Sequence, residues 1–169
     1  ARVVDIPERI EHLDPLLPSG TQIVQLYGSP NYRIDHPYLV NIGGNGQGGE
    51  RFPANTVFVS ESHARRHGWT EFVHNGIDLS EYPIGTRREA YALFLAKASW
   101  RVKNLKGAIR IARQAGTPLH VAGGRAACWH RGVVSHGEVG GQSKLELLQR
   151  ARALLFPVIW EEPFGLAVV

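Results

Sequence analysis

The feature that most restricts what this chain can fold into is the alternation, in its second half, of short apolar runs with longer amphipathic segments. Tyr91-Ala92-Leu93-Phe94-Leu95 reads as a strand. Asn104 to Ala115 carries Leu105, Ala108, Ile109 and Ala112 at helical spacing, and Gly116 stops it. Leu119-His120-Val121-Ala122 is the next strand, closed by Gly123-Gly124. Val133-Val134-Ser135 follows, ended by Gly137. Ser143 to Arg152 is a helix with Leu145, Leu148 and Ala151 turned inward, and Ala153 to Phe156 is a buried strand that Pro157 ends. Strands alternating with helices of about ten residues or more imply a parallel sheet with right-handed crossovers.

The first half is less regular. Val3-Val4 is a short strand, Pro7 to Leu13 is weakly helical, and Pro15 to Gly20 is a turn. Thr21 to Tyr27, Tyr38 to Ile42 and Thr56 to Val59 read as strands, and Asn31 to Pro37 as a polar loop. Ser60 is an N-cap for a helix Glu61 to His67 with Gly68 as its C-cap. Phe72-Val73 is a last short strand. Residues 80–88, with Pro83, Gly85 and two arginines, read as a hinge. The division expected is 1–79, the hinge, and 89–169.

Composition narrows the function classes. The chain has 169 residues, 43% of them hydrophobic and 20% charged, as in a globular protein. Its longest apolar runs fall far short of the ~18 residues of a membrane span. The formal charge of +4 suits an anionic small ligand, but the basic residues are not clustered as a nucleic-acid surface requires. A single cysteine, Cys128, excludes an internal disulfide and points to a reducing compartment.

In an open parallel sheet, ligands bind beyond the carboxyl ends of the strands. Four loops qualify: Lys97, Arg101 and Lys103 after Leu95; Gly123-Gly124 after Ala122; His136-Gly137-Glu138-Val139 after Ser135; and Glu161-Glu162-Pro163-Phe164-Gly165 after Phe156. Leu166-Ala167-Val168-Val169 looks like the start of a helix, so Gly165 would stand at a helix entrance, where amides favour phosphate. Cations from one loop and such an entrance from another could bracket a diphosphate. Taken singly these signals are weak: lysines on loops are usually solvated, and Glu161-Glu162 is ordinary charge before a helix. Other motifs fall away. Gly43 to Gly49 lacks the Gly-x-x-x-x-Gly-Lys-Ser/Thr pattern and has no dinucleotide fingerprint, which disfavours nicotinamide chemistry and leaves it a loop. His63 and His67 share a helix face but lack a third ligand, so no metal is expected. Cys128 lies near His130 without an acid partner.

The order of these segments resembles a family. Phe72 to Asp78, Phe94 to Lys97 with Lys103 to Gly107, Leu119 to Gly124, Gly137 to Val139 with Leu147-Leu148, Ala153 to Pro157, and Glu162 to Leu166 follow one another as in the retaining GT-B glycosyltransferases of the glycogen-synthase, sucrose-synthase and mannosyltransferase group, the group 1 glycosyl transferases. The match covers about residues 56–169. The resemblance implies an α/β, GT-B type fold of Rossmann-like parallel sheets flanked by helices, with the donor-binding half partly present. Residues 1–79 would be a remnant of the acceptor-side domain and 89–169 a truncated nucleotide-sugar-binding domain.

It also implies residue roles. Lys97 and Lys103 stand where the family holds the donor diphosphate, usually with Arg then Lys. Gly137, Glu138 and Val139 match the turn that meets the base through backbone groups, and Gly165 and Leu166 the amides at the phosphates. Glu162 matches the first carboxylate of a Glu-x7-Glu motif beside the donor sugar and is the catalytic candidate; the second would fall one position after Val169. Gly43 stands where the family often carries a histidine. The function implied is retaining transfer of a hexose from a nucleotide-diphosphate sugar to an acceptor hydroxyl, with no cofactor or metal, in the cytoplasm. Peripheral membrane association is compatible with it, and nucleic acid is not a partner. The alternatives are a nucleotide-sugar epimerase of the same architecture and a non-catalytic fragment.

Overall fold

A computed structural model of the chain describes residues 3–4, 22–26, 38–42, 52, 56–125 and 131–169. The readings made for Pro7 to Leu13, Pro15 to Gly20, Asn31 to Pro37, Gly43 to Gly49, Cys128 and His130 lie outside them. The chain forms two compact units, Ala1–Gly76 with Glu161–Gly165, and Ile77–Trp160 with Leu166–Val169.

The first unit holds a four-stranded sheet in the order β1-β2-β3-β4, from β1 (Val3–Val4), β2 (Gln22–Leu26), β3 (Tyr38–Ile42) and β4 (Thr56–Phe58). β2, β3 and β4 are parallel, with Gln22 opposite Tyr38 and Val40 opposite Thr56. β1 is antiparallel to β2, the exception to the parallel arrangement expected. As an edge strand it has one neighbour and can pair in either direction. Helix α1 (Glu61–Arg66) begins at Ser60, whose hydroxyl accepts the His63 amide, as the sequence predicts. The expected strand Phe72-Val73 reduces to one bridge between Phe72 and Phe58. Val73 is exposed, so there is no buried face to extend the pairing. The buried Phe58 ring meets His63 edge-on at 4.9 Å and stacks on His67 at 5.2 Å, which places both histidines in an aromatic cluster.

In the second unit, β5 (Ala92–Leu95), β6 (Leu119–Ala122), β7 (Val133–Gly137) and β8 (Ala153–Leu154) form a parallel sheet in the order β7-β6-β5-β8. Helix α2 (Leu105–Gln114) joins β5 to β6, and α3 (Gly141–Arg150) joins β7 to β8. The pleat of β5 explains its continuous apolar run. Ala92 and Phe94 join Leu119, Val121, Ala108 and Ala112 on the α2 face. Tyr91 and Leu93 join Ala122 and Ala151 on the other, against Leu147 and Leu148 of α3. A central parallel strand buried on both faces is apolar throughout rather than alternating.

Several boundaries differ from expectation: α1 ends at Arg66, α3 begins at Gly141, β7 runs on to Gly137, and β8 spans only Ala153–Leu154, with Ala153 exposed rather than buried. α3 ends two residues before Arg152: Ala151 is already extended (φ −63°, ψ 137°), and the Arg152 amide donates to the carbonyl of Tyr91, so the sheet takes over the backbone there. Leu147, rather than Leu145, packs inward with Leu148 and Ala151. Leu166 to Val168 form a turn, not the start of a helix.

Asn104 is the only non-glycine described residue with positive φ (57°). Its side chain caps α2 by accepting from the Gly107 amide at 3.0 Å and donates to the Pro157 carbonyl at 2.8 Å, tying the start of α2 to the segment after β8. Asn104→Ala removes both bonds and keeps a Cβ in the left-handed region. We expect it to lower stability by about 1–3 kcal/mol in chemical denaturation, whereas Asn104→Gly, which relieves the backbone, should lose less.

Candidate functional site

The strand order locates the site in the second unit. The chain steps from β5 outward to β6 and β7, then returns to the far side of β5 as β8. The reversal lies between β5 and β8, and the crevice beyond their carboxyl ends is where an open α/β sheet holds a ligand. The loop leaving β5 carries Lys97, Trp100 and the 3-10 turn Arg101–Lys103. The segment leaving β8 runs to Trp160, and the Ile159 amide donates to the Val102 carbonyl at 2.9 Å. Both sequence-predicted lysines therefore stand at the switch point, each on an indole: Lys97 Nζ is 5.1 Å from the Trp100 centroid and Lys103 Nζ 4.9 Å from that of Trp160. The two indoles meet edge to face at 6.5 Å. An aromatic face attracts the ammonium above it and so favours a side-chain position over the ring.

Gly123 brings the ends of β5 and β6 together. Its φ is +115°, and a Cβ there would lie 2.2 Å from the Ala96 carbonyl oxygen. Its carbonyl accepts from Ala98, and its amide and that of Gly124 both donate to the Gly137 carbonyl, at 2.7 and 3.0 Å. Gly137, with φ +70°, thus opens the Gly137–Val139 turn from a fixed point.

Glu138, Val139 and Leu166 belong to the second unit as well, and Glu162 and Gly165 to the first. Glu162, with Glu161, Pro163, Ser62, His63, Arg65 and Arg66, lines a cavity of about 560 Å³. Glu161 pairs with Arg66 at 3.0 Å, and the Ser60 hydroxyl donates to the Pro163 carbonyl, so this acidic segment is anchored to α1 and its cap. Gly165 has φ +82° and precedes the turn that begins at Leu166. Among the described residues, no group of three or more His, Cys, Asp or Glu could hold a metal ion, and no helix is long and apolar enough to cross a membrane.

The fold is similar to that of a glycosyltransferase. The solved structure of AviGT4, a glycosyltransferase involved in avilamycin A biosynthesis, superposes with a TM-score of 0.66 at 20% identity, over 85% of this chain and 51% of that one. This chain therefore spans about half the length of that structure. The α/β, GT-B type architecture expected from the sequence is the one observed, as parallel sheets flanked by helices. No protein-family model matches the chain, and no curated protein does.

A second feature escaped the sequence reading. A groove of about 520 Å³ runs along α3 from Glu138, Val139 and Gly140 to Arg150, floored by Tyr91, His120 and His136. The Tyr91 and His120 rings stack at 3.8 Å, 9° from parallel, and His120 Nδ1 lies 3.1 Å from His136 Nε2. Tyr91 Oη donates to the Leu147 carbonyl at 2.9 Å. Burial, with the Glu89 carboxylate behind it, pushes the Tyr91 phenol up. Burial, then the neighbouring His136, pulls His120 below the usual histidine range, against the pull of Glu89. A polar residue at an inward position of a buried strand, as His120 is in Leu119–Ala122, was the available signal.

Proposed function

We propose that this chain carries the nucleotide-binding part of a retaining glycosyltransferase that moves a hexose from a nucleotide-diphosphate sugar to an acceptor hydroxyl. The observation that supports it most is the placement of Lys97 and Lys103 at the switch point of the second sheet, on the loop leaving its first strand. In such a reaction the leaving group is a diphosphate whose charge grows as the anomeric bond breaks. Preorganised cations and amides aimed at that charge lower the barrier. In this reading Lys97 and Lys103 take the diphosphate, and no metal ion is required. The backbone of Gly137, Glu138 and Val139 takes the base, Gly165 and Leu166 supply amides to the phosphates, and Glu162 orients the hydroxyls of the donor sugar. In this reading no side chain acts as a nucleophile, and the reaction is a front-face displacement in which the donor phosphate assists the incoming hydroxyl.

The test is a thermal-shift panel of uridine, guanosine, adenosine and thymidine diphosphate sugars against the chain. A ligand that binds the folded state raises the melting temperature in proportion to RT ln(1 + [L]/Kd), about 2.7 kcal/mol at a hundredfold excess over Kd. We expect one base to stand out. A flat response across the panel would remove the reading. Incubating the stabilising donor alone then separates transfer from epimerisation, which would yield an epimer without acceptor.

A further inference from the structure

The groove beside α3 touches the predicted base-binding turn at one end, and of the two histidines in its floor His136 lies immediately before that turn. In β7, Ser135 pairs with Val121 and Gly137 with Ala122, so His136 is an extra residue without a partner across the ladder. Such a bulge leaves the backbone locally unsupported by the sheet. Here two contacts hold it. On one side the Gly137 carbonyl takes the amides of Gly123 and Gly124. On the other, the His136 ring is joined to His120, which is held in turn by its stack on Tyr91.

A nitrogen-to-nitrogen bond between two imidazoles needs one N–H and one lone pair. It survives with both rings neutral or with one charged. Once both are charged, two N–H groups face each other and the bond is gone. The groups facing the pair are Glu89 and Tyr91 just ahead of β5, Glu146 and Arg150 on α3, and Glu138 in the turn. Arg150 is already paired with Glu89 at 3.2 Å. Glu89 favours a proton on His120, but a second proton on the pair must enter beside an existing imidazolium. The depressed titration of His120, caused first by burial and then by His136, agrees with this order.

We propose that His120 and His136 form a proton-sensitive clamp on the Gly137–Val139 turn, closed while the pair carries at most one proton beyond neutrality and released by the second. His120 is thus a positioning residue that acts through His136, and the binding consequence rests on the reading of this turn as the base contact. The sign follows from the direction of the shift. A histidine held below its ordinary value binds more protons unfolded than folded, so the clamped form has its full stability above the ordinary histidine value. It loses stability as pH falls below that value toward the folded one.

The experiment measures binding of the nucleoside diphosphate of the stabilising base by calorimetry from about pH 8 to about pH 5, a range that spans histidine titration. The chain is compared with His120→Gln and His136→Gln, whose amides hydrogen-bond but do not titrate. The unmodified chain should lose affinity by up to about tenfold per pH unit below the second protonation. Both variants should lose only the smaller amount due to the ligand's own phosphate, with affinities near that of the unmodified chain at the alkaline end. Equal pH slopes in all three proteins would overturn the clamp. Amide hydrogen exchange at Gly137–Val139 in the free chain, corrected for intrinsic rates, is a readout that needs no ligand. Protection should fall on acidification in the unmodified chain and stay level in His120→Gln. If no nucleotide binds at any pH, the functional reading fails while exchange still decides the clamp; if exchange is level in the unmodified chain, the clamp fails whatever binds.

Discussion

Replacing Lys97 and Lys103 together with alanine is expected to weaken nucleoside-diphosphate binding by about a hundredfold or more. Each ammonium can make a charge-assisted hydrogen bond to a phosphate oxygen, worth roughly 1.5–3 kcal/mol. Lys97 is exposed and Lys103 half-buried, so solvent screening favours the lower end of that range. Two such losses sum to about 3 kcal/mol, or two decades in Kd. The effect should shrink with added salt, because part of it is long-range attraction that ions screen. Stability should change much less, since what the folded state loses is two lysine–indole contacts of about 0.5–1 kcal/mol each. Calorimetry on both proteins, with denaturation curves as the folding control, checks it. Equal affinities would remove the diphosphate from this loop. Trp100→Leu and Trp160→Leu sharpen the result: if the indoles hold the lysines in place, each should weaken binding several-fold although neither carries charge.

The second large effect is expected at Gly123. A Cβ at this position would stand 2.2 Å from the carbonyl oxygen of Ala96 and 2.6 Å from its carbon, both backbone atoms that cannot turn aside. The φ of +115° is also closed to an L side chain without strain. Backbone strain of about 1–3 kcal/mol and overpacking of about 1–3 kcal/mol act together at Gly123→Ala. A loss of about 2–6 kcal/mol is therefore expected in urea denaturation. Relief of the clash would part the loops after β5 and β6 and break the bond from Ala98 to the Gly123 carbonyl and those from Gly123 and Gly124 to Gly137. Gly116→Ala is the control: its φ is +61°, but a Cβ there meets nothing within 4 Å, so only the backbone term remains. Equal losses at the two positions would show that close packing of the loops contributes nothing.

Much of the second unit is legible along the chain because its rules are local. Leu105, Ala108, Ile109 and Ala112 share a helix face by spacing alone, and the structure packs all four against one side of the sheet. The apolar run through Leu93 and Phe94 announces a strand buried on both faces. The position of Lys97 and Lys103 on the loop leaving β5 was legible because the strand before them is, and in a sheet of this class that loop lies at the edge where ligands bind. Asn104 and the Trp100–Trp160 pair were not, because a left-handed cap and an indole beneath a lysine depend on how two loops meet in space. The grouping of Glu162 with the first unit was equally hidden, since the chain reaches it only after completing β8.

By itself, then, the sequence determined the class of fold, the places where strands and helices form, and the loops that could carry a ligand. Propensity, capping and periodicity operate within a few residues of one another, and they are written in the chain. The tertiary structure alone decided the order β7-β6-β5-β8, the antiparallel edge strand β1, the bulge at His136 and its bond to His120, sixteen residues away. These depend on which strand lies beside which, a choice set by packing between segments distant along the chain, and no local pattern of residues encodes it.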